Sequence, residues 1–294
     1  MHKVLGDKLW IAILITPGLF FFIFLICVPI GVSVFYSFTD WDGISSYKMI
    51  GFQNFIDIFT ADPVFWKALW HSLLLGILAI IIQHPIAIFL AVLIQHAGRL
   101  ERPMRTILFI PSIISAFVTS QLWVSIFSTQ LGLINRILDQ VGLSSWKQDW
   151  LGDPSLSIFC IILVVIWQGF GYGFLLYYSG LKGIPKEIHE AATVDGASTF
   201  RYTVSISLPM ITPIIRIAVV LAIISGFKQI ETVYLMTGGG PANNSQFIAM
   251  YLYSKAFREA LYGYGNAISV VFVTICLAIT VILNKLIKKD VGEY

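Results

Sequence analysis

The chain has 294 residues, of which 57% are hydrophobic and 12% charged, with a formal net charge of +3. A mean hydropathy of +0.83 leaves too few charges to cover a water-soluble globule of this size, so the composition excludes a soluble domain and calls for surrounding lipid. The net charge itself says little more, and no nucleic-acid partner is expected.

Apolar runs long enough to cross about 30 Å of hydrocarbon, roughly twenty helical residues each, predict six spans: Leu9 to Phe38, Lys67 to Ile94, Thr106 to Phe127, Leu156 to Leu181, Pro209 to Met236 and Ala267 to Ile287. The fold class is therefore an all-α polytopic membrane protein, read as one domain over residues 1–294. The first run follows Lys3 and Lys8 but continues for about thirty residues without a small-residue cleavage site, so it reads as a retained span and not a signal peptide. In the outer loop Thr39 to Trp66, Asn54, Phe55 and the stretch Asp62-Pro63-Val64-Phe65-Trp66 suggest a short interfacial helix with aromatic anchors.

The second span carries His71, His84 and His96, which with His2 and His189 show no metal-ligand spacing; His84 precedes Pro85, where a kink would free a carbonyl for neighbouring side chains. Cys27, Cys160 and Cys276 each lie in a different span, which points to packing rather than disulfide or metal chemistry. The fourth span holds Trp167-Gln168-Gly169-Phe170-Gly171-Tyr172. Such a strip serves either to stack on a pyranose face or to pack two helices closely, and the sequence leaves both open.

Between the fourth and fifth spans lies a polar island, Lys186 to Pro209. Pro185 suits the first position of a helix, Glu187 and Glu190 its positive end, Gly196 a left-handed exit, and Ser198 the cap of a second helix. Ile188, Ala191, Ala192 and Ala197 fall mostly on one side, while Glu190 and Asp195 stay polar, the pattern of an element that docks into a groove on another protein. The fifth span contains Arg216, Lys228, Gln229 and Glu231, and an unpaired charge facing lipid costs roughly 3 kcal/mol. Lys228 and Glu231, three apart, are placed to pair on one helix, whereas Gln229 offers a donor and an acceptor suited to sugar hydroxyls. The outer loop after this span opens with Thr237-Gly238-Gly239-Gly240-Pro241.

Eleven basic residues (Lys3, Lys8, Arg99, Arg102, Arg105, Lys182, Lys186, Arg201, Lys285, Lys288, Lys289) fall on one side of this topology and six (Lys48, Lys67, Arg136, Lys147, Lys255, Arg258) on the other. The positive-inside rule then places both termini and the Glu190 loop in the cytoplasm. No glycine-rich loop ending in Gly-Lys-Ser or Gly-Lys-Thr is present, so any ATPase has to be a partner.

Glu190-Ala191-Ala192, Gly196, Ile206 and Leu208-Pro209 keep the spacing of a family signature, and the island resembles the coupling loop of permease subunits of bacterial ABC importers. Asn54-Phe55, Pro111-Ser112, Gly183-Ile184-Pro185 and the run Tyr234 to Pro241 narrow the resemblance to carbohydrate permeases of the maltose-transporter type, first-permease-like. His71-Ser72 stands where many relatives have Asn-Thr, and the large extra outer domain of the maltose permease is missing. The resemblance implies a type I importer permease fold, a cytoplasmic coupling loop over 182–208, and ATPase docking through Glu190, Ala191, Ala192, Asp195 and Gly196. It implies a sugar cavity lined by Ser112, Gln168, Gly169, Tyr172, Gly226 and Gln229. The implied partners are a homologous second permease, two cytoplasmic ATPases that use ATP and Mg, an extracytoplasmic solute-binding protein and the bilayer of a bacterial cell membrane, with no cofactor or metal in this chain. An importer for glycerol phosphate or a polyol, an autonomous channel or secondary carrier using Lys228 and Glu231 as a relay, and a membrane-embedded enzyme are the competing readings; the last lacks paired catalytic carboxylates or an activated nucleophile.

Overall fold

A computed structural model describes residues 8–95 and 97–286, so both chain ends, together with His2, Lys3, His96, Lys288 and Lys289, lie outside the described residues. Regular structure among the described residues is helical apart from one isolated antiparallel bridge, Thr39 to Met49. The chain packs as two compact units, residues 8–62 with 252–275 and residues 63–251 with 276–286.

The first unit begins with α1 (Trp10–Tyr36), apolar on every side and with none of its residues buried. A helix that is hydrophobic all round has no polar face to give to water, so lipid or another protein has to cover it. Its C-terminal end is tied down by Asn54 of α2 (Gln53–Thr60), whose buried amide donates to the carbonyls of Ser37 and Thr39, both at 2.9 Å. In the loop between them the Ser45 hydroxyl and the backbone amides of Ile44 and Ser45 hold the Asp42 carboxyl down to about 2. The short helix therefore includes Asn54 and Phe55 but not Phe65 and Trp66. Asp62 instead accepts the Tyr264 hydroxyl at 2.6 Å, and Pro63 is the first residue of the next long helix, where its missing N–H has no partner to lose.

The second unit takes α3 (Pro63–Ile94), α4 (Glu101–Ile113), α5 (Ala116–Phe127), α6 (Leu133–Gln140) and α7 (Ser157–Lys182). Then follow α8 (Lys186–Val194), α9 (Thr199–Met210), α10 (Thr212–Lys228), α11 (Glu231–Met236) and α12 (Ile248–Tyr253). Helix α13 (Tyr262–Leu286) ends the described chain. Phe174, Tyr177 and Leu181 of α7 pack with Ala87, Ala91 and Ile94 of α3 and Ala218 of α10, so small residues on α3 accept large ones from α7. At one end of α7, Lys182 pairs with Glu101 at 3.0 Å and donates to the Gln95 carbonyl at 3.1 Å, while the Tyr178 hydroxyl also donates to Glu101.

Four helices, α1, α3, α7 and α13, are long and apolar enough to cross a membrane unbroken, and the count reaches six if each of two bent pairs is one span. The expected third span bends by 92° between α4 and α5, where Ser115 turns the chain and its hydroxyl accepts the Val118 amide at 3.3 Å. The expected fifth span bends by 67° at Ile211, between Pro209 and Pro213, neither of which has an N–H to give to a continuous helix.

Candidate functional site

The bend in the third span and a second break in the fifth meet at a cleft of about 470 Å³. It is lined by Ser112, Ala116, Val165, Gln168, Gly169, Tyr172, Ser225 and the run Lys228 to Thr232. Helix α10 stops at Lys228 because Gln229 is extended (φ −68°, ψ 111°), and α11 restarts at Glu231. A break of this kind leaves helix-terminal carbonyls and amides without intrahelical partners, and at membrane depth it is tolerated where it lines a cavity or is buried in protein.

The six residues expected in a sugar cavity separate into four groups. Gln229 and Tyr172 face the cleft: no protein group among the described residues hydrogen-bonds the Gln229 amide, and Tyr172 is 63% exposed with its ring set edge-on to Phe109 at 5.6 Å. Gly169 contributes open backbone. Ser112 and Gln168 line the cleft but already have partners, since Ser112 Oγ donates to the Gln168 carbonyl at 2.7 Å and Gln168 Nε2 donates to the Ile114 carbonyl at 2.8 Å. Together they clip α4 to α7 at the bend. Gly226 is buried away from the cleft lining: a Cβ there would lie 2.5 Å from the Ser72 carbonyl, so the position belongs to the crossing of α3 and α10.

The helical ion pair between Lys228 and Glu231 does not form. The break at Gln229 takes the two residues off a common helix, and among the described residues neither side chain enters a salt bridge. Both line the cleft.

The polar island folds as helices at the expected places, although Pro185 stands at the N-cap and not at the first helical position, and of the two glutamates only Glu187 lies in the first turn. Gly196 takes φ +74°, and the Ser198 hydroxyl accepts the Arg201 amide at 3.3 Å. Glu190, Ala191 and Asp195 are exposed, while Ala192 is buried and shares a hollow with Val92 and Leu93 of α3. The largest exposed apolar groups here are Val194 (87%) and Phe200 (78%), which the small-residue stripe did not single out. A one-turn apolar residue among polar neighbours carries no periodicity to find it by.

His71 and Ser72 have a structural use that spacing arguments miss. His71 Nδ1 is 2.9 Å from the Gln246 carbonyl and the Ser72 hydroxyl accepts the Ile248 amide at 3.0 Å, which pins the segment after Pro241 to α3.

The family described as "Binding-protein-dependent transport system inner membrane component" matches residues 83–291. The chain is 33% identical to a probable ABC transporter permease protein of Bacillus subtilis, YurN, over 95% of this chain and 96% of that one. It is 31% identical to the diacetylchitobiose uptake system permease protein NgcF of Streptomyces coelicolor, over 99% of this chain and 87% of that one. Among solved structures, a chain of a bacterial ABC transporter involved in the import of the acidic polysaccharide alginate aligns with a TM-score of 0.81 at 25% identity, covering 99% of both chains.

Proposed function

Because the chain belongs to the inner membrane components of binding-protein-dependent transport systems, we propose that it is one permease subunit of an ATP-driven importer that carries a sugar or short oligosaccharide. The observation that carries the substrate class is the cleft at Gln229, where an amide with no partner among the described residues lines the same space as an exposed tyrosine ring. Amides match hydroxyls, and an aromatic face matches the apolar face of a pyranose. The sugar substrate of NgcF supports the same class.

In this reading a homologous second permease closes the other side of the pathway, and an extracytoplasmic binding protein delivers substrate. Two cytoplasmic ATPases hold ATP and Mg and meet Glu190, Ala191, Asp195, Val194 and Phe200. Both termini lie on the same cytoplasmic side. This chain makes and breaks no covalent bond; its contribution is two conformations of different stability, biased from both faces of the membrane.

Lys228 in the cleft favours a second reading, an acidic substrate such as a uronate or glycerol phosphate, for which a cation is the natural contact. Uptake by the reconstituted importer separates the two. With a neutral sugar as cargo, Lys228→Gln keeps uptake within about 3-fold; an acidic cargo loses about 10-fold or more, as expected when a charge-assisted hydrogen bond worth roughly 1.5 to 3 kcal/mol is removed. Failure of every neutral sugar in the wild-type complex would decide for the acidic class.

A further inference from the structure

The cleft does not end at Tyr172. An adjoining lobe of about 420 Å³ shares Val165, Gly169, Tyr172 and Ser225 with it and reaches Gln83 and His84 on α3. Otherwise the lobe is apolar, with Leu75, Leu176 and Leu221 among its walls, and no charged residue lines it.

Two side chains in this lobe have hydrogen-bonding atoms without a partner among the described residues. His84 is 6% exposed, its Nδ1 lies 2.8 Å from the Tyr177 hydroxyl, and its Nε2 is buried with no hydrogen-bond partner among the described residues. Gln83 is half-buried and makes no side-chain hydrogen bond among the described residues; its amide nitrogen lies within 4 Å of the space above both Gly169 and Gly173 of α7, where side chains are absent. A buried polar atom left unpaired costs roughly 1 to 3 kcal/mol. Local backbone geometry points the same way. Residues Ala79–Gln83 form a π turn in which the His84 amide bonds to the Ala79 carbonyl, a widening that recurs at functional positions and here precedes Pro85.

We propose that Gln83 and His84 form an inner subsite of the translocation cleft that hydrogen-bonds the hydroxyls of a neutral sugar ring, so that the two lobes together hold a substrate of at least two rings. This rests on the sugar-importer reading above. The inner lobe supplies apolar walls for the faces of the ring and two polar groups for its edge, while the outer lobe supplies the Gln229 amide together with the separate side chains of Lys228 and Glu231. Tyr177 fixes the imidazole by engaging Nδ1 and leaves Nε2 for the substrate.

The test uses the assembled importer in proteoliposomes, with single cysteines at Gln83 or Gln229 in a background without Cys27, Cys160 and Cys276. Glucose, maltose and N,N′-diacetylchitobiose serve as probes, and a methanethiosulfonate reagent reports access. Gln83→Cys is expected to react and to be protected by whichever disaccharide is transported, alongside Gln229→Cys, whereas glucose protects neither site as well. Gln83→Leu and His84→Phe are expected to raise the KM of uptake about 5-fold or more while the subunits still co-purify. An inert Gln83→Cys beside a reactive, protected Gln229→Cys would overturn the inner subsite, identify the lobe as a packing surface, and leave the importer reading standing. Uptake of none of the three sugars by the wild-type complex, with Gln229→Cys unprotected, would overturn the sugar reading and the subsite with it. Should the Leu and Phe variants fail to assemble, the cysteine labelling decides alone.

Discussion

Gln168 and Gln229 are the same residue type in opposite circumstances. The Gln168 amide is committed to the Ile114 carbonyl at the bend of the third span, whereas the Gln229 amide has no partner among the described residues. Gln168→Leu is therefore expected to lower the melting temperature of the purified complex, because the half-buried Ile114 carbonyl loses its donor at a cost of roughly 1 kcal/mol. Gln229→Leu is expected to leave melting unchanged and to impair uptake. Thermal unfolding in detergent and transport in proteoliposomes check the pair, and the reverse pattern would exchange their roles. Gly226 belongs with Gln168: a Cβ would sit 2.5 Å from the Ser72 carbonyl, so Gly226→Val forces α3 and α10 apart and is expected to cost about 1 to 3 kcal/mol, read as lost expression or lowered melting.

Helix α8 and its exit are the elements that, under the docking proposal, a partner would meet. Glu190 is exposed, and Gly196 at φ +74° sets the direction in which the chain leaves. Glu190→Lys is expected to abolish sugar-stimulated ATP hydrolysis by reversing the charge a partner meets. Gly196→Val, at an angle costing a branched residue roughly 1 to 2 kcal/mol, is expected to weaken co-purification with the ATPase. Normal coupling in both variants would remove the docking assignment. This element was legible in the sequence because its determinants are local: a proline, a glycine and a serine cap act within a few residues of themselves. The long helices were legible for the same reason, as hydropathy sums over neighbours. The bends were not, since a hydropathy window is blind to backbone direction, and neither was the use of Gln168, whose partner lies 54 residues away. The resemblance brought Ser112, Gln168, Gly169, Tyr172 and Gln229 to one cleft, but it could not say which of them were already occupied.

For the molecule as a whole, orientation is the property with the widest consequences, because it decides which compartment holds the energy source. Single cysteines at Glu187 and Asn243, in a background lacking Cys27, Cys160 and Cys276, are expected to react with an impermeant reagent only from the cytoplasmic and only from the outer side respectively. Labelling of both from one side would defeat the topology. The glycine contacts bear on movement as well. At Gly171, where a Cβ would lie 2.5 Å from Ser112 Oγ and 3.0 Å from the Leu108 carbonyl, and again at Gly226, helices touch backbone to backbone. Surfaces in such contact do not slide by a fraction of a turn without collision. The α4–α7 and α3–α10 contacts are in mechanical terms stiff seams, and a stroke that reshapes the cleft is expected to be taken up as hinge rotation at Ile114 and Ser115, at Ile211, and at Gln229 and Ile230. The joints of the machine are thus the same few residues at which its helices fail to continue.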